Sequence, residues 1–139
     1  HAMAYELCER LARAGLADRV TLVAGDYNVD PMPTGADLAW LSAIAHQNSR
    51  QENRLLYAKI QGALAPGGIL AIRDIVLDAS RTQPPAGALF AVNMLTATEG
   101  GGVFTFDEYR EDLESAGLVD AQLLRWDEGM NSLIRARKR

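Results

Sequence analysis

The sequence predicts an α/β protein with a mainly parallel sheet, and three features of its 139 residues indicate this fold class. Apolar runs of strand length alternate with segments in which apolar residues recur every three or four positions, a spacing typical of helices. Two capping-box motifs, Ser49-x-x-Glu52 and Thr105-x-x-Glu108, precede helical segments. Glycine and proline follow several segments, as expected where an element ends. Strands and helices that alternate in this way usually form a parallel sheet.

The predicted elements follow one another along the chain. They are a helix over 3–14, strands over 20–24 and 37–44, a helix after Ser49 that ends at Pro66-Gly67-Gly68, a strand over 69–77, a helix over 86–97, a helix from Thr105 to Gly117, and a closing antiparallel pair over 118–126 and 131–136. The run 69–77 is nearly continuous apolar sequence, which predicts a central strand. Residues 86–97 are apolar almost all round, which predicts a buried helix.

Composition and charge exclude several classes of protein. The net charge of −4 and the pI near 5.1 argue against a general nucleic-acid-binding protein. No apolar run approaches the ~20 residues of a membrane span, and no signal peptide opens the chain. The single cysteine cannot form an internal disulfide, and with two histidines it cannot build a structural zinc site of the cysteine type. We therefore expect one cytoplasmic, acidic domain without metal, nucleic-acid or membrane partners, preceded by a cloning remnant over residues 1–3.

The first candidate site follows the predicted strand 20–24. Open α/β sheets bind ligands in the crevice beyond the carboxyl ends of their strands. Gly25 allows a sharp turn or a close approach to a ligand, and the Asp26 carboxylate can accept hydrogen bonds from a ribose or an exocyclic amine. Tyr27 could stack on a flat base. A strand-to-loop turn capped by the Asp26 side chain is the alternative interpretation.

The second candidate site combines His46, after the strand 37–44, with Asp74, within the strand 69–77. Histidine is the commonest general base because it titrates near neutral pH, although it could instead pack at the start of a helix. A carboxylate among apolar neighbours is costly unless it is paired, and Arg73 faces the other side of the strand. A pair between His46 and Asp74 would orient the imidazole. A basic group from the covering helices is the alternative partner for Asp74.

Two other features have open or structural interpretations. Asn93-Met94 lies on the predicted helix 86–97, where it could belong to the core or face a substrate. Gly100-Gly101-Gly102 lacks the strand–turn–helix context of a phosphate-binding loop, so we interpret it as a break between elements.

At this point the sequence resembles class I O-methyltransferases, and more narrowly the small-molecule enzymes related to plant caffeate methyltransferases and their bacterial polyketide and antibiotic counterparts. The resemblance covers nearly the whole chain and rests on the order and spacing of several segments. These are LADRV over 16–20, GD over 25–26, ADLAWLSAIAH over 36–46, ALAPGGILAIRD over 63–74, NMLTATEGGGVFTFDEYREDLESAGL over 93–118 and SLIRARK over 132–138.

The resemblance implies a fold and a cofactor. The fold would be a truncated Rossmann-like methyltransferase sheet that lacks its first two strands and ends in an antiparallel pair. Residues 1–139 would then be the C-terminal part of a single catalytic domain. The cofactor would be S-adenosylmethionine, with Gly25, Asp26 and Tyr27 at its adenine end. Ser42, which stands where the plant enzymes have a lysine, is included among the expected cofactor-binding residues.

The resemblance also implies catalytic and substrate-binding residues. His46 would take the proton from a hydroxyl of a small molecule while that oxygen attacks the sulfonium methyl group, and Asp74 would hold the histidine. Asn93 and Met94 would contact the substrate. The relatives are typically dimers with a preceding helical domain, so we expect a homodimer, with strand or domain swapping as one possibility.

Several departures from the family pattern keep alternatives open. Gln47 stands where the residue after the histidine is commonly acidic, and Val103-Phe104 replaces a second carboxylate. The family's glycine-rich loop and its ribose-binding acid have no counterpart, so we expect this fragment alone to bind S-adenosylmethionine weakly or not at all. The alternatives are a non-catalytic module with the methyltransferase fold and an N- or C-methyltransferase. A nucleotide-binding oxidoreductase is disfavoured because the GxGxxG motif is missing.

Overall fold

A computed structural model describes the backbone of residues 2–139 and the side chains of residues 6–139. The chain forms two compact units, with the boundary between Asp30 and Pro31. The first unit contains the helix α1, Ala2–Arg13, which confirms the predicted helix 3–14. Gly15 ends it with φ +67, and the N–H of Leu16 donates to the carbonyl of Leu11 at 2.9 Å. This is the Schellman arrangement, in which glycine adopts the left-handed conformation that other residues avoid.

The predicted strand over 20–24 is wrong. A short 3-10 helix, Ala17–Arg19, is followed by chain without any strand pairing as far as residue 35. The side chains of 20–24 are all exposed, and Val23 keeps 67% of its surface in solvent. A strand needs a neighbour to satisfy its backbone hydrogen bonds, and the described part of the first unit supplies none. The apolar composition of residues 20–24 is therefore not sufficient by itself to form a strand.

The second unit is built around a four-stranded sheet in the order β1-β2-β6-β5. Its elements are β1 Ala36–Ser42, α2 Arg50–Ala63, β2 Leu64–Asp74, β3 Val76–Leu77, α3 Pro85–Ala97, β4 Phe104–Thr105, α4 Phe106–Ser115, β5 Leu118–Arg125 and β6 Ser132–Lys138. Strands β1 and β2 are parallel, whereas β6 pairs antiparallel with both β2 and β5. The short strands β3 and β4 form a separate parallel pair. The predicted α/β fold with a closing antiparallel pair is confirmed. The prediction of a mainly parallel sheet is wrong for these four strands, because one of their pairings is parallel and two are antiparallel.

The main core lies between one face of the sheet and the helices α2 and α4. Alternate residues of β2 and β6 point into it, as the period of a strand requires. Its most buried aliphatic members include Leu70, Ile72, Leu113 and Ile134, none of them more than 1% exposed. This core fixes where the carboxyl ends of β1 and β2 lie, and those ends carry the candidate site.

Both predicted capping boxes are confirmed. Ser49 accepts a hydrogen bond from the backbone N–H of Glu52 at 3.3 Å, and the Glu52 carboxylate accepts from the backbone N–H of Ser49 at 2.7 Å. Thr105 and Glu108 make the same reciprocal pair at the start of α4. Each box satisfies N–H groups that the helix itself leaves without partners. The capping box at Ser49 therefore fixes the start of α2 directly after the loop that carries His46 and Asn48.

Pro66-Gly67-Gly68 does not separate the helix from the strand as predicted. Helix α2 ends at Ala63, and the three residues lie inside β2. The pairing of β1 with β2 jumps there, because Ala36 faces Leu64 while Leu38 faces Ile69. The additional residues on β2 form a bulge, a place where a strand tolerates proline and a glycine such as Gly67 with φ +76.

The prediction that the helix over 86–97 is buried is also wrong. Helix α3 packs through Gly87, where an added Cβ would lie 2.8 Å from Ile75, and through Met94, which is 7% exposed. Phe90 and Ala91 are partly buried, but Leu89, Val92 and Leu95 are between 59% and 75% exposed. An all-round apolar helix is buried only where neighbours surround it, and strand β3 packs against one side of α3.

Two tyrosine hydroxyls are buried in the main core. Tyr57 is 0% and Tyr109 is 2% exposed, and neither hydroxyl has a hydrogen-bond partner among the residues that the structure describes. Burial raises the pKa of both phenols well above the ordinary value, and the negative charges of Asp74 and Asp112 raise it further. These phenols therefore stay protonated in the folded chain at a pH where the unfolded chain releases their protons.

Replacing Tyr57 with Phe should raise the free energy of unfolding by about 1 kcal/mol at neutral pH, because it removes a buried hydroxyl without a partner. Above about pH 10 the unchanged protein should lose up to about 1.4 kcal/mol of stability per pH unit for each buried tyrosine, since the unfolded chain then binds fewer protons than the folded chain. Tyr57→Phe should make that decline shallower. Urea unfolding followed by circular dichroism measures both effects. A variant that is less stable at neutral pH would contradict the prediction.

Candidate functional site

The segment that carries His46 is held at the carboxyl end of β1. Ala43 turns the chain with φ +56, and its backbone N–H donates to the carbonyl of Arg73 at 2.9 Å. A short 3-10 helix, Ala45–Gln47, follows. The buried side chain of Asn53, from α2, donates to the Ala45 carbonyl at 2.8 Å. The backbone around His46 is therefore tied both to the neighbouring strand and to the helix that covers it.

His46 and Asp74 form a buried hydrogen-bonded pair. The distance between His46 Nδ1 and Asp74 Oδ1 is 2.8 Å, with side-chain exposures of 8% and 1%. The backbone N–H groups of His46 and Ile75 also donate to the Asp74 carboxylate, at 3.3 and 2.8 Å. Because a carboxylate accepts hydrogen bonds, Nδ1 carries the ring proton and Nε2 is left as the basic nitrogen. The geometry is that of an oriented general base.

Helix α3 supplies an aromatic neighbour that the sequence did not single out. The ring of Phe90 meets the His46 ring edge to face, with centroids 5.0 Å apart and planes at 79°. Four residues further on, Met94 is buried, whereas Asn93 is exposed. In an apolar helix nothing in the sequence distinguishes Phe90 from its neighbours. Of the two predicted substrate-binding residues, only Asn93 has a solvent-facing side chain.

The glycine loop, residues 100–102, also contacts His46, although the sequence predicted only a break between elements there. The backbone N–H of Gly102 donates to the carbonyl of His46 at 2.9 Å. The backbone N–H of Gly101 donates to the hydroxyl of Thr98 at 2.8 Å. Three consecutive glycines were the available signal, since glycine is used where backbones approach closely.

The positions at which the sequence departs from the family pattern lie close to this site. Gln47 is exposed, and its side-chain amide donates to the carbonyl of Ala43 at 3.1 Å. Val103 and Phe104 are 3% and 9% exposed and belong to apolar clusters. Asp74 is consequently the carboxylate that hydrogen-bonds His46 in the part of the chain that the structure describes.

Gly25, Asp26 and Tyr27 lie in the first unit, in a tight turn. Asp26 Oδ1 accepts the backbone N–H of Asn28 at 2.8 Å, and Asp30 Oδ2 accepts the backbone N–H of Asp26 at 2.7 Å. The Asp26 side chain thus caps a turn, which is the alternative that the sequence left open. The carboxylate of Asp26 and the ring of Tyr27, which is 38% exposed, are both on the surface. An exposed carboxylate beside an exposed aromatic ring suits the hydroxyl, amine and flat base of an adenosine group.

Ser42, the other predicted cofactor-binding residue, ends β1 and bonds to Arg73. Arg73 Nη1 donates to the Ser42 hydroxyl at 2.9 Å, while its Nε and Nη2 donate to Asn131 Oδ1 at 3.0 and 2.8 Å. The guanidinium therefore links β1, β2 and the turn before β6. Where the plant enzymes have a lysine, this chain has a serine held by an arginine from the adjacent strand.

The described residues contain no group of three or more histidine, cysteine, aspartate or glutamate side chains that could hold a metal ion. Among residues 2–139, no helix has the length and apolar character needed to cross a membrane.

Comparison with known proteins gives concordant relatives. The sequence matches the family described as O-methyltransferase domain over residues 4–119. It is 34% identical over 127 residues to 3-hydroxy-5-methyl-1-naphthoate 3-O-methyltransferase of Streptomyces sahachiroi, covering 91% of this chain and 36% of that protein. It is also 34% identical over 123 residues to L-tyrosine C(3)-methyltransferase of Streptomyces lavendulae, covering 86% and 33%. The solved structure of human N-acetylserotonin methyltransferase in complex with SAM matches with a TM-score of 0.80 and 30% identity, covering 87% of this chain and 34% of that one.

These matches agree with the architecture and extend over most of the chain. The chain spans about a third of the length of the curated relatives it matches, 36% and 33% in the two cases. The buried pair and the parallel strands that position it lie within residues 4–119, the stretch that matches the family. With the family match extending over residues 4–119, the chain belongs to the O-methyltransferase domain family.

Proposed function

We propose that the protein containing this chain transfers a methyl group from S-adenosylmethionine to a hydroxyl of a small molecule. The observation that carries the proposal is the buried pair of His46 and Asp74, 2.8 Å apart at the carboxyl ends of two parallel strands. A hydroxyl is a weak nucleophile until it loses its proton, so the reaction needs a base at the acceptor oxygen. Membership of the O-methyltransferase domain family supports the same reaction.

His46 is the proposed base, and Asp74 is the residue that holds it. The Asp74 carboxylate accepts a hydrogen bond from the Nδ1–H, which leaves Nε2 to take up the proton of the acceptor hydroxyl. The carboxylate then stabilises the positive charge that develops on the imidazole. The ring is nearly enclosed, with Phe90 against it, and this enclosure limits the competition of water for the base.

Gly25, Asp26 and Tyr27 are the proposed residues for the adenosine end of the cofactor, through the Asp26 carboxylate and the Tyr27 ring. S-Adenosylmethionine, when bound, supplies the electrophilic sulfonium methyl group. The role of Ser42 in cofactor binding stays a prediction, and the Ser42 hydroxyl that Arg73 holds can still donate its own hydrogen. The name of the human relative, solved with SAM, supports the choice of cofactor.

Asn93 and Met94 are the proposed contacts to the substrate, with exposed Asn93 offering an amide and buried Met94 an apolar wall. The naphthoate named in the Streptomyces sahachiroi relative supports a hydroxylated small molecule as substrate. The homodimer, with or without exchanged strands or domains, stays a prediction. So do the cytoplasmic location and the assignment of residues 1–139 to the C-terminal part of one catalytic domain.

A second candidate is methyl transfer to carbon. The relative from Streptomyces lavendulae is named as a C(3)-methyltransferase of L-tyrosine, and it is as similar to this chain as the naphthoate enzyme. Loss of its proton also makes a phenol a stronger carbon nucleophile, so the same base would serve both reactions. The position of the methyl group in the product distinguishes the two.

Replacing His46 with Ala should lower kcat of the full-length protein about 10²-fold or more, because general-base catalysis contributes this much. Asp74→Asn should lower kcat about tenfold or more, because the amide no longer enforces the proton on Nδ1. Transfer of labelled methyl groups from S-adenosylmethionine to a panel of phenols measures both. The control is Gln47→Ala, which changes the exposed neighbour of His46 and should keep most of the activity. Unchanged turnover in His46→Ala would remove His46 from the mechanism.

Replacing Gly25 with Ala should weaken binding of S-adenosylmethionine about tenfold in the full-length protein, because the new Cβ would lie 2.9 Å from Asp30 Oδ2 and displace the carboxylate that closes the turn. Calorimetry measures the change. Gly62→Ala is the matched control, since nothing lies within 4 Å of a Cβ at that helical position. Equal affinities of Gly25→Ala and the unchanged protein would argue against cofactor binding at this turn.

A further inference from the structure

The end of helix α3 is connected to the backbone of His46 through the glycine loop. The Thr98 hydroxyl donates to the carbonyl of Met94 at 2.8 Å and accepts the backbone N–H of Gly101, also at 2.8 Å. The next residue, Gly102, donates its backbone N–H to the carbonyl of His46 at 2.9 Å. Hydrogen bonds on both sides of the Gly101–Gly102 peptide therefore connect the last turn of α3 to the backbone of the proposed base.

Gly101 is buried at the narrowest point of this connection. A Cβ added there would lie 2.5 Å from the carbonyl oxygen of His46, 2.5 Å from the hydroxyl of Thr98 and 3.0 Å from the carbonyl oxygen of Gln47. Two of these three atoms belong to the backbone, so they cannot rotate out of the way. The φ of Gly101 lies outside the left-handed region, so the site requires glycine for space and not for conformation.

Two groups of His46 bond to the Asp74 carboxylate. The ring donates to Oδ1 at 2.8 Å and the backbone N–H of the same residue donates to Oδ2 at 3.3 Å. Because both bonds go to one carboxylate, a shift of the His46 backbone would disturb both. Helix α3 also places Phe90 against the His46 ring. The same helix thus contacts the ring directly and is connected to the His46 carbonyl through Thr98 and the glycine loop.

We propose that Gly101 is a positioning residue for His46. Because Gly101 has no side chain, the loop after α3 packs directly against the carbonyl oxygens of His46 and Gln47. This contact keeps the imidazole hydrogen-bonded to Asp74, with Nε2 available. Gly101 does not touch a reacting atom. Thr98 acts together with Gly101, since its hydroxyl accepts the hydrogen bond from the backbone N–H of Gly101. The proposal rests on the proposed function, in which His46 is the base.

The first test is spectroscopic and needs no activity. A ring proton held between Nδ1 and a buried carboxylate exchanges slowly and gives a downfield proton resonance, which is assigned to His46 by its loss in His46→Ala. Gly101→Ala should abolish or strongly broaden this resonance in the present chain. Gly62→Ala, the matched control without any atom within 4 Å of the new Cβ, should leave it unchanged.

The second test separates turnover from binding in the full-length protein. Gly101→Ala should lower kcat about tenfold or more, since small displacements of a reacting group cost rates of this size, while KM for S-adenosylmethionine should change less than about twofold. Thr98→Val adds no bulk but removes the hydroxyl, and it should lower both kcat and the intensity of the resonance. Thr98→Ser keeps the hydroxyl, so kcat and the intensity of the resonance should stay close to those of the unchanged protein.

The outcomes distinguish this inference from the proposed function. If Gly101→Ala is folded and retains both the resonance and kcat, the proposal is overturned. If Gly101→Ala does not fold, the comparison of Thr98→Val with Thr98→Ser decides, and equal behaviour of those two variants overturns it. If His46→Ala retains full turnover, the proposed function fails, whereas the effect of Gly101 on the resonance still tests whether the loop positions the ring.

Discussion

The carboxylate of Asp74 is buried, and the candidate site is arranged around its need for hydrogen-bond donors. With 1% of the side chain exposed, the negative charge has lost its water and must be compensated by the protein. The donors are the ring and backbone N–H of His46 and the backbone N–H of Ile75. Two of these three come from the segment after β1. The parallel pairing of β1 with β2 and the turn at Ala43 must therefore both be in place for the charge to be tolerated.

Apart from Asp74, His46 is contacted by an apolar side chain and by backbone groups. Val103 and Phe104, which the resemblance places where relatives have a second carboxylate, pack into apolar clusters. In this chain the His46 ring contacts Phe90. The His46 carbonyl accepts a hydrogen bond from the backbone N–H of Gly102 and packs closely against Gly101. A histidine with a single carboxylate partner can still be an oriented base, provided that packing replaces the orienting effect of the missing charge.

Much of the fold was predictable because the signals are local. Capping boxes fix the starts of α2 and α4 through contacts three residues apart, and apolar runs of strand length identify β1, β2, β5 and β6. The errors arose where a distant partner decides the outcome. The apolar run 20–24 forms no strand because no described residue of its unit pairs with it. Pro66-Gly67-Gly68 fits in β2 because the pairing with β1 bulges there. One side of α3 is exposed because the helix has a neighbour only on its other side.

For the candidate site, the sequence by itself determined that Asp74 needs a partner, that His46 has the right chemistry, and that both follow or lie within strands. It left open whether they meet, since 28 residues separate them and several basic groups were available. Only the tertiary structure decided this, through the register that sets Ser42 opposite Arg73 and so brings the ends of β1 and β2 together. The tertiary structure alone also assigned Phe90, Thr98 and the glycine loop to His46. Such contacts depend on how elements pack in space, and packing leaves no periodic trace in a single sequence.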